Sequence, residues 1–251
     1  MENQKTVILL HGFGEDSSIF RQQVDALKAK YNVYAPDLPG SGVLNDHHWI
    51  TGTESIEWLA EWVKSFMESK GIDRCSMLGH SMGGYITLAF AEKYPQHLQA
   101  FGLIHSTAFA DSISKKETRE KAISFIQEKG GFSFLKTAIP GLFGEKFSKT
   151  HPGEIASLVS KAAHFRDHSL IAYYRAMINR KDRTSVLKTS VVPVLMVAGT
   201  EDIAAPLQDL LIQAAFPAIC HFSILQETGH MGMLEESQKI SEILLNFMDT
   251  L

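Results

Sequence analysis

Six short apolar runs, at about residues 6–10, 32–35, 74–79, 98–104, 191–198 and 221–225, alternate with segments of helical spacing along this 251-residue chain. Each run is bounded by turn residues and lacks a polar face, so each reads as a strand buried on both sides of a parallel sheet. Helices are expected over Ile19 to Lys30, Ser55 to Lys70, Met82 to Tyr94, Pro206 to Ala215 and Met233 to Met248. In the second of these, Ile56, Leu59, Ala60, Val63, Phe66 and Met67 share one face. Such alternation predicts a doubly wound α/β sheet of about six mostly parallel strands. A chain of this length buries roughly 70% of its unfolded surface and forms one large core.

The turn after the third run carries the first chemical signal. Gly79-His80-Ser81-Met82-Gly83 is a G-x-S-x-G pentapeptide between Cys75-Ser76-Met77-Leu78 and a helix opening at Gly84-Tyr85-Ile86. A serine exposed on so sharp a strand-to-helix turn needs small residues two positions either side, and both are glycine. The pentapeptide alone is common, so its weight rests on partners. The run Val191 to Ala198 ends in Gly199-Thr200-Glu201-Asp202, which puts a carboxylate just beyond a buried strand. After Cys220 to Leu225 comes Glu227-Thr228-Gly229-His230-Met231, a histidine in the loop before the last helix. The first run leads into His11-Gly12-Phe13-Gly14.

In these motifs, and in the chain order Ser, Asp, His, the sequence resembles the α/β-hydrolase superfamily, its serine-nucleophile branch with a helical cap, which includes esterases and carbon–carbon bond hydrolases. Pro36-Asp37-Leu38-Pro39-Gly40-Ser41-Gly42 and Met231-Gly232-Met233-Leu234-Glu235-Glu236 extend the resemblance, which covers nearly all of the chain outside about 107–185. It implies Ser81 as nucleophile, His230 as base and Asp202 as its anchor, with the backbone N–H groups of Phe13 and Met82 as the oxyanion hole. Larger relatives place an antiparallel hairpin before the first parallel strand, and here the sheet is expected to lack it. The core would comprise 1–106 and 186–251, with residues 107–185 inserted as a cap. Cap helices are expected over Lys115 to Lys129, Phe132 to Ile139, Pro152 to Phe165 and His168 to Arg180. Phe109, Leu142, Phe143, Phe165, Tyr173 and Met177, with Phe132 and Phe134, are candidates to line an apolar substrate pocket.

A serine hydroxyl needs a base within reach, and an imidazole titrating near ~6.5 can take and return its proton. Its other nitrogen needs an anion, which Asp202 supplies unless it only caps the loop before Pro206. Glu201 is expected to point elsewhere, and Asp37 to hold its own loop. Serine at the elbow, in place of aspartate, disfavours epoxide opening and halide displacement. The expected activity is hydrolysis of a small to medium, partly apolar carboxylic ester through an acyl-enzyme. Alternatives are carbon–carbon hydrolysis or elimination on a carboxylate-bearing substrate held by Arg166 or Arg175, thioester or lactone hydrolysis, and a ligand-sensing receptor.

Charge and composition narrow the partners. With 24 basic against 28 acidic residues the net charge is −4, and no basic cluster offers a footprint for nucleic acid or an anionic membrane. No apolar stretch approaches the roughly 20 residues of a membrane span, and no signal-type segment precedes the first strand. Two isolated cysteines, Cys75 and Cys220, read as reduced thiols of a cytoplasmic protein. No nucleotide-binding glycine motif is present, so no cofactor is expected. His47-His48-Trp49 lacks a second ligand cluster and reads as a loop, so no metal is expected either.

Overall fold

The computed structural model of the chain describes residues 4–46 and 55–251; His47, His48 and Trp49 lie outside the described residues. The six expected strands all form: β1 (Thr6–Leu10), β2 (Asn32–Tyr34), β3 (Cys75–His80), β4 (Leu98–Ile104), β5 (Val194–Gly199) and β6 (Cys220–Leu225). They make one sheet in the order β2-β1-β3-β4-β5-β6, with every neighbouring pair parallel. The central strands β3 and β5 are buried at every residue, as an apolar run without alternation requires, while the edge strands β2 and β6 are only partly covered. Cys75 on β3 and Cys220 on β6 have two strands between them and carry free thiols.

Helices layer the sheet. In the first half of the chain they are α1 (Arg21–Leu27), α2 (Ile56–Ser69) and α3 (Met82–Lys93). Ser55 starts α2 by accepting the Trp58 N–H at 3.0 Å, and the buried face is Ile56, Leu59, Ala60, Val63 and Met67. Phe66 departs from that face and packs against Trp62 and Tyr34. The first helix is shorter than its pattern, because Asp16 caps a 3-10 turn over Ser17–Phe20 that comes before it.

Between β4 and β5 the chain is helical without a strand: α4 (Ile113–Lys129), α5 (Gly131–Ala138), α6 (Glu145–Thr150), α7 (Pro152–Lys161), α8 (Asp167–Ile178) and α9 (Thr184–Lys188). The sequence pattern predicts four of these. The other two, α6 and α9, span less than two turns and leave no legible periodicity. After β5 come α10 (Leu207–Gln213), α11 (Gly232–Glu235) and α12 (Ser237–Asp249). The last two were expected as one helix; Glu236, at φ −131 and ψ 48, breaks it. No helix among the described residues is long and apolar enough to cross a membrane.

With β2 and β3 on opposite sides of β1, the strand order reverses between β1 and β3. Ligands of open α/β sheets bind outside the carboxyl ends of the strands at such a reversal. The loops that leave β1 and β3 there are Gly12-Phe13 and Ser81.

Candidate active site

Ser81 stands at φ 51 and ψ −116, a conformation that costs a non-glycine residue of order 1–3 kcal/mol and persists only where its surroundings enforce it. The enforcement is visible. Its N–H donates to the Ile104 carbonyl at 3.0 Å, and its own carbonyl accepts Ser106 Oγ at 2.7 Å and the Gly84 N–H at 2.9 Å. Both flanking glycines are sterically required. A Cβ on Gly79 would lie 2.2 Å from the Gly83 carbonyl, and one on Gly83 would lie 2.1 Å from the Leu10 carbonyl oxygen. The obstacles are backbone atoms of β1 and α3 and cannot rotate away. Gly83→Ala is therefore expected to cost at least about 3 kcal/mol, read as a large fall in the urea midpoint. An unchanged midpoint would show that β1 and α3 are less closely seated than this.

His230 and Asp202 are both buried, with Nδ1 of the imidazole 3.0 and 2.9 Å from the two carboxylate oxygens. Asp202 also accepts the N–H groups of Ala204 and Ala205, both at 2.8 Å, so it caps its loop and anchors the imidazole together. Burial pushes its carboxyl up, but the His230 charge and the hydrogen bonds it accepts outweigh this and hold it well below the usual carboxylate range. For His230, burial pushes the imidazole down, while the Asp202 charge and hydrogen bond, helped by Glu15, leave it net raised. Glu201 turns away to accept the Glu145 N–H at 2.6 Å, and Asp37 binds the Ser17 and Val43 N–H groups at 2.8 Å. The histidine loop is tied down by Glu235, whose carboxylate accepts the N–H groups of Gly144, Gly229 and Met231.

The H-G loop meets the elbow directly. A Cβ on Gly12 would lie 3.0 Å from Ser81 Cβ. His11 Nε2 accepts the Leu38 N–H at 3.0 Å and faces Ser41 Oγ at 2.8 Å, which joins this loop to the one at 36–42. The Gly12 N–H is taken by Glu15 at 2.8 Å, and the same carboxylate oxygen faces His80 Nδ1 at 2.9 Å. His80 Nε2 in turn donates to the His230 carbonyl at 3.0 Å, and the two rings lie 4.8 Å apart. Glu15 and His80 thus link all three loops through buried groups. Met82 is the first residue of α3, where N–H groups lack intrahelical acceptors and the dipole favours negative charge.

Sequence reasoning missed Glu15, His80 and a third residue, His105, whose Nδ1 lies 3.0 Å from Asp202 Oδ2. A signal did exist: His105-Ser106-Thr107 is a polar triplet closing an apolar run beside the elbow strand. His105, Asp202 and His230 are also the one group of potential metal donors among the described residues, with ligand atoms within 4.8 Å. Both imidazoles address the carboxylate through Nδ1 at hydrogen-bond distance, which places protons where an ion would need lone pairs.

The expected pocket residues fall in different places. Tyr173 is buried, donates its hydroxyl to the Pro39 carbonyl at 2.7 Å and meets the Phe13 ring edge-on. Leu142 accepts the His230 N–H at 2.7 Å through its carbonyl. Phe143 stacks on Phe147, Met177 is buried, and the Phe109 carbonyl accepts Arg180. Phe165 faces the shallow clefts beside Asp16, and Phe132 is exposed. Phe134 packs on Phe13, which also stacks on Tyr174 at 4.2 Å. Arg166 pairs with Asp46 at the surface and Arg175 is exposed. The inward cations are instead Arg119 and Arg180, each 2.7 Å from the buried Asp111, and Lys115, which donates to the Ala204 carbonyl at 2.6 Å.

Comparison with known proteins bears on the family and the fold. The profile of the alpha/beta hydrolase fold matches residues 5–237. The solved structure of a thermophilic esterase from Thermogutta terrifontis superposes with a TM-score of 0.91 at 25% identity, covering 98% of this chain and 90% of that one. A putative carbamate hydrolase RutD from Acinetobacter baylyi is 22% identical, over 99% of this chain and 95% of its own. The dihydrolipoyllysine-residue acetyltransferase component of the acetoin cleaving system of Cupriavidus necator is 33% identical over 114 residues, which are 45% of this chain and 30% of that protein. The chain thus matches under a third of that enzyme's length, though nearly all of the other two. With its six-stranded parallel sheet and the family profile spanning almost its whole length, the chain belongs to the alpha/beta hydrolase fold family.

Proposed function

We propose that the protein is a serine hydrolase that cleaves a small to medium, partly apolar carboxylic ester. The observation that carries this reading is Ser81, held at positive φ on the elbow, together with the buried His230–Asp202 pair, the ring of the adjoining His80 lying 4.8 Å from that of His230. His230 takes the Ser81 hydroxyl proton as Oγ attacks the acyl carbon, then gives it to the departing alkoxide. Water repeats the sequence and frees the acid. The oxyanion of each tetrahedral intermediate is held by the N–H groups of Phe13 and Met82. Similarity to the Thermogutta terrifontis esterase supports ester chemistry.

The helical segment between β4 and β5 acts as the cap. Between α4, α5 and α8 it leaves an open cavity of about 440 Å³ lined by Phe125, Phe134 and Tyr174, with Arg119 and Lys115 at its wall. Phe13 stacks on that Tyr174 and touches that Phe134, so the cavity wall adjoins the oxyanion loop. A second reading, a carboxylate-bearing substrate cleaved at an ester or carbon–carbon bond, is favoured by the charge there. Two guanidinium groups share the single carboxylate of Asp111, which leaves a net positive charge beside Lys115.

Fluorophosphonate labelling with mass-spectrometric site mapping tests the reading, run beside nitrophenyl esters of increasing acyl length, neutral and ω-carboxylated. Modification at Ser81 with ester turnover is expected. A preference for the carboxylated series selects the second reading. Absence of labelling and turnover in folded protein would sink both and favour a receptor.

A further inference from the structure

His105 follows the last residue of β4 and carries two features that packing alone does not require. It is a non-glycine residue at φ 48, and its fully buried Nε2 has no hydrogen-bond partner. Nε2 faces Gly232, where a Cβ would lie 2.3 Å from it. A leucine or phenylalanine would fill the same space without stranding a polar atom. What the histidine gains is on its other side, where Nδ1 lies 3.0 Å from Asp202 Oδ2. An ionised carboxylate accepts only, so Nδ1 carries the proton and the stranded Nε2 is a lone pair. The ring is then neutral. An imidazolium would leave a charge and an N–H facing Gly232 with no acceptor.

We propose that His105 is a positioning residue for the triad carboxylate: its Nδ1–H pins Asp202 Oδ2 and tempers the basicity that the carboxylate confers on His230. The inference rests on the triad reading above. Asp202 is then held from three sides, by Ala204 and Ala205 on Oδ1, by His105 on Oδ2 and by His230 across both. Each N–H on the carboxylate disperses its charge and weakens its pull on the His230 proton. His105 supplies the donor from β4, the neighbour of both the elbow strand and the Asp202 strand. The other groups facing His230 are His80 and Glu15 behind it, Lys115 from α4, and Glu235 from α11, which binds the loop backbone. None of these hydrogen-bonds Asp202 through a side chain among the described residues. Burial holds His105 below the ordinary imidazole range despite the carboxylate beside it, consistent with a neutral donor.

The test is a nitrogen-15 NMR titration of the histidines, which reads the rings without turnover. In the wild type, His105 is expected to remain a neutral Nδ1–H tautomer between about pH 5 and 9 while His230 titrates. In His105→Leu the His230 midpoint should rise by about half a unit or more, with kcat falling at least tenfold or so at unchanged KM. In His105→Asn, which keeps an N–H near the Nδ1 position and tolerates positive φ, the midpoint should stay within about 0.2 unit of the wild type. A wild-type His105 that titrates, or that carries its proton on Nε2, overturns the proposal even where the leucine variant does not fold. So does a folded leucine variant with the wild-type His230 midpoint. A shifted midpoint together with turnover that survives Ser81→Ala would uphold the role of His105 while removing the hydrolase reading. The reverse pattern would do the opposite.

Discussion

Ser81→Ala should abolish fluorophosphonate labelling and lower kcat/KM on the best ester by about four to six orders of magnitude, with the fold intact. The residue accepts φ 51 because Ile104, Ser106 and Gly84 bind its backbone, and none of these contacts involves Oγ. Alanine therefore inherits the same strained turn, and urea midpoints should agree within a few tenths of a kcal/mol, as for a substitution that leaves neighbouring contacts in place. What vanishes is the hydroxyl that forms the acyl-enzyme in the proposed mechanism. Residual catalysis above the uncatalysed rate would come from the proposed Phe13 and Met82 donors and from substrate positioning, which the substitution leaves alone. Rates on the whole ester panel decide the matter. A variant within tenfold of the wild type would place the chemistry on another group.

Much of this architecture is legible in the sequence, because β5 is apolar without interruption, β3 is an apolar run broken only at Ser76 and His80, and a helix such as α2 carries a single apolar stripe. The elbow is legible for a similar reason: a tight turn against β1 leaves no room for any Cβ at Gly79 or Gly83, so the requirement surfaces as two glycines. Contacts across the sheet are another matter. His105 touches Asp202 across 97 positions, and Glu15 meets His80 across 65, and both pairings depend on which strands become neighbours. Nothing local to His80 marks it, since any residue satisfies the second position of G-x-S-x-G. The inward cations were misread for a different reason. Helix α4 is charged around most of its circumference and has only Ile123 and Ile126 buried, so no stripe tells Arg119 from its neighbours. Arg166 and Arg175, the cations expected to hold a substrate carboxylate in the alternative reading, both face solvent.

Asp202→Asn should cost about 10⁴-fold in kcat at neutral pH and should move the acid limb of the rate profile downward. In the wild type, burial lowers the His230 pKa, and the Asp202 charge and hydrogen bond more than reverse this. In the proposed mechanism neutral His230 is the base, so wild-type activity is expected to fall as pH drops through a midpoint above ~6.5. An amide removes the charge and leaves burial as the larger influence, which puts the variant's midpoint below ~6.5. The amide also creates a conflict of donors. Its oxygen can keep the Ala204 and Ala205 N–H groups, but its NH₂ then occupies the place where Oδ2 received both imidazole Nδ1–H groups. His105, which reaches Oδ2 alone, must change tautomer, and where His230 turns a lone pair to the NH₂ instead of keeping its 3.0 Å contact with Oδ1, its proton moves to Nε2 and it cannot take one from Ser81. Stability follows the same carboxylate with its own sign. Its folded pKa is depressed, so its contribution is full above the unfolded value of about 3.9 and is lost as pH falls through the folded value. The melting-temperature gap between wild type and variant should therefore be widest near neutrality and narrow below about pH 4. Profiles of kcat/KM between about pH 5 and 9, with melting curves at neutral and acidic pH, read both effects. An acid limb that stays in place would mean that the charge on Asp202 does not set the basicity of His230.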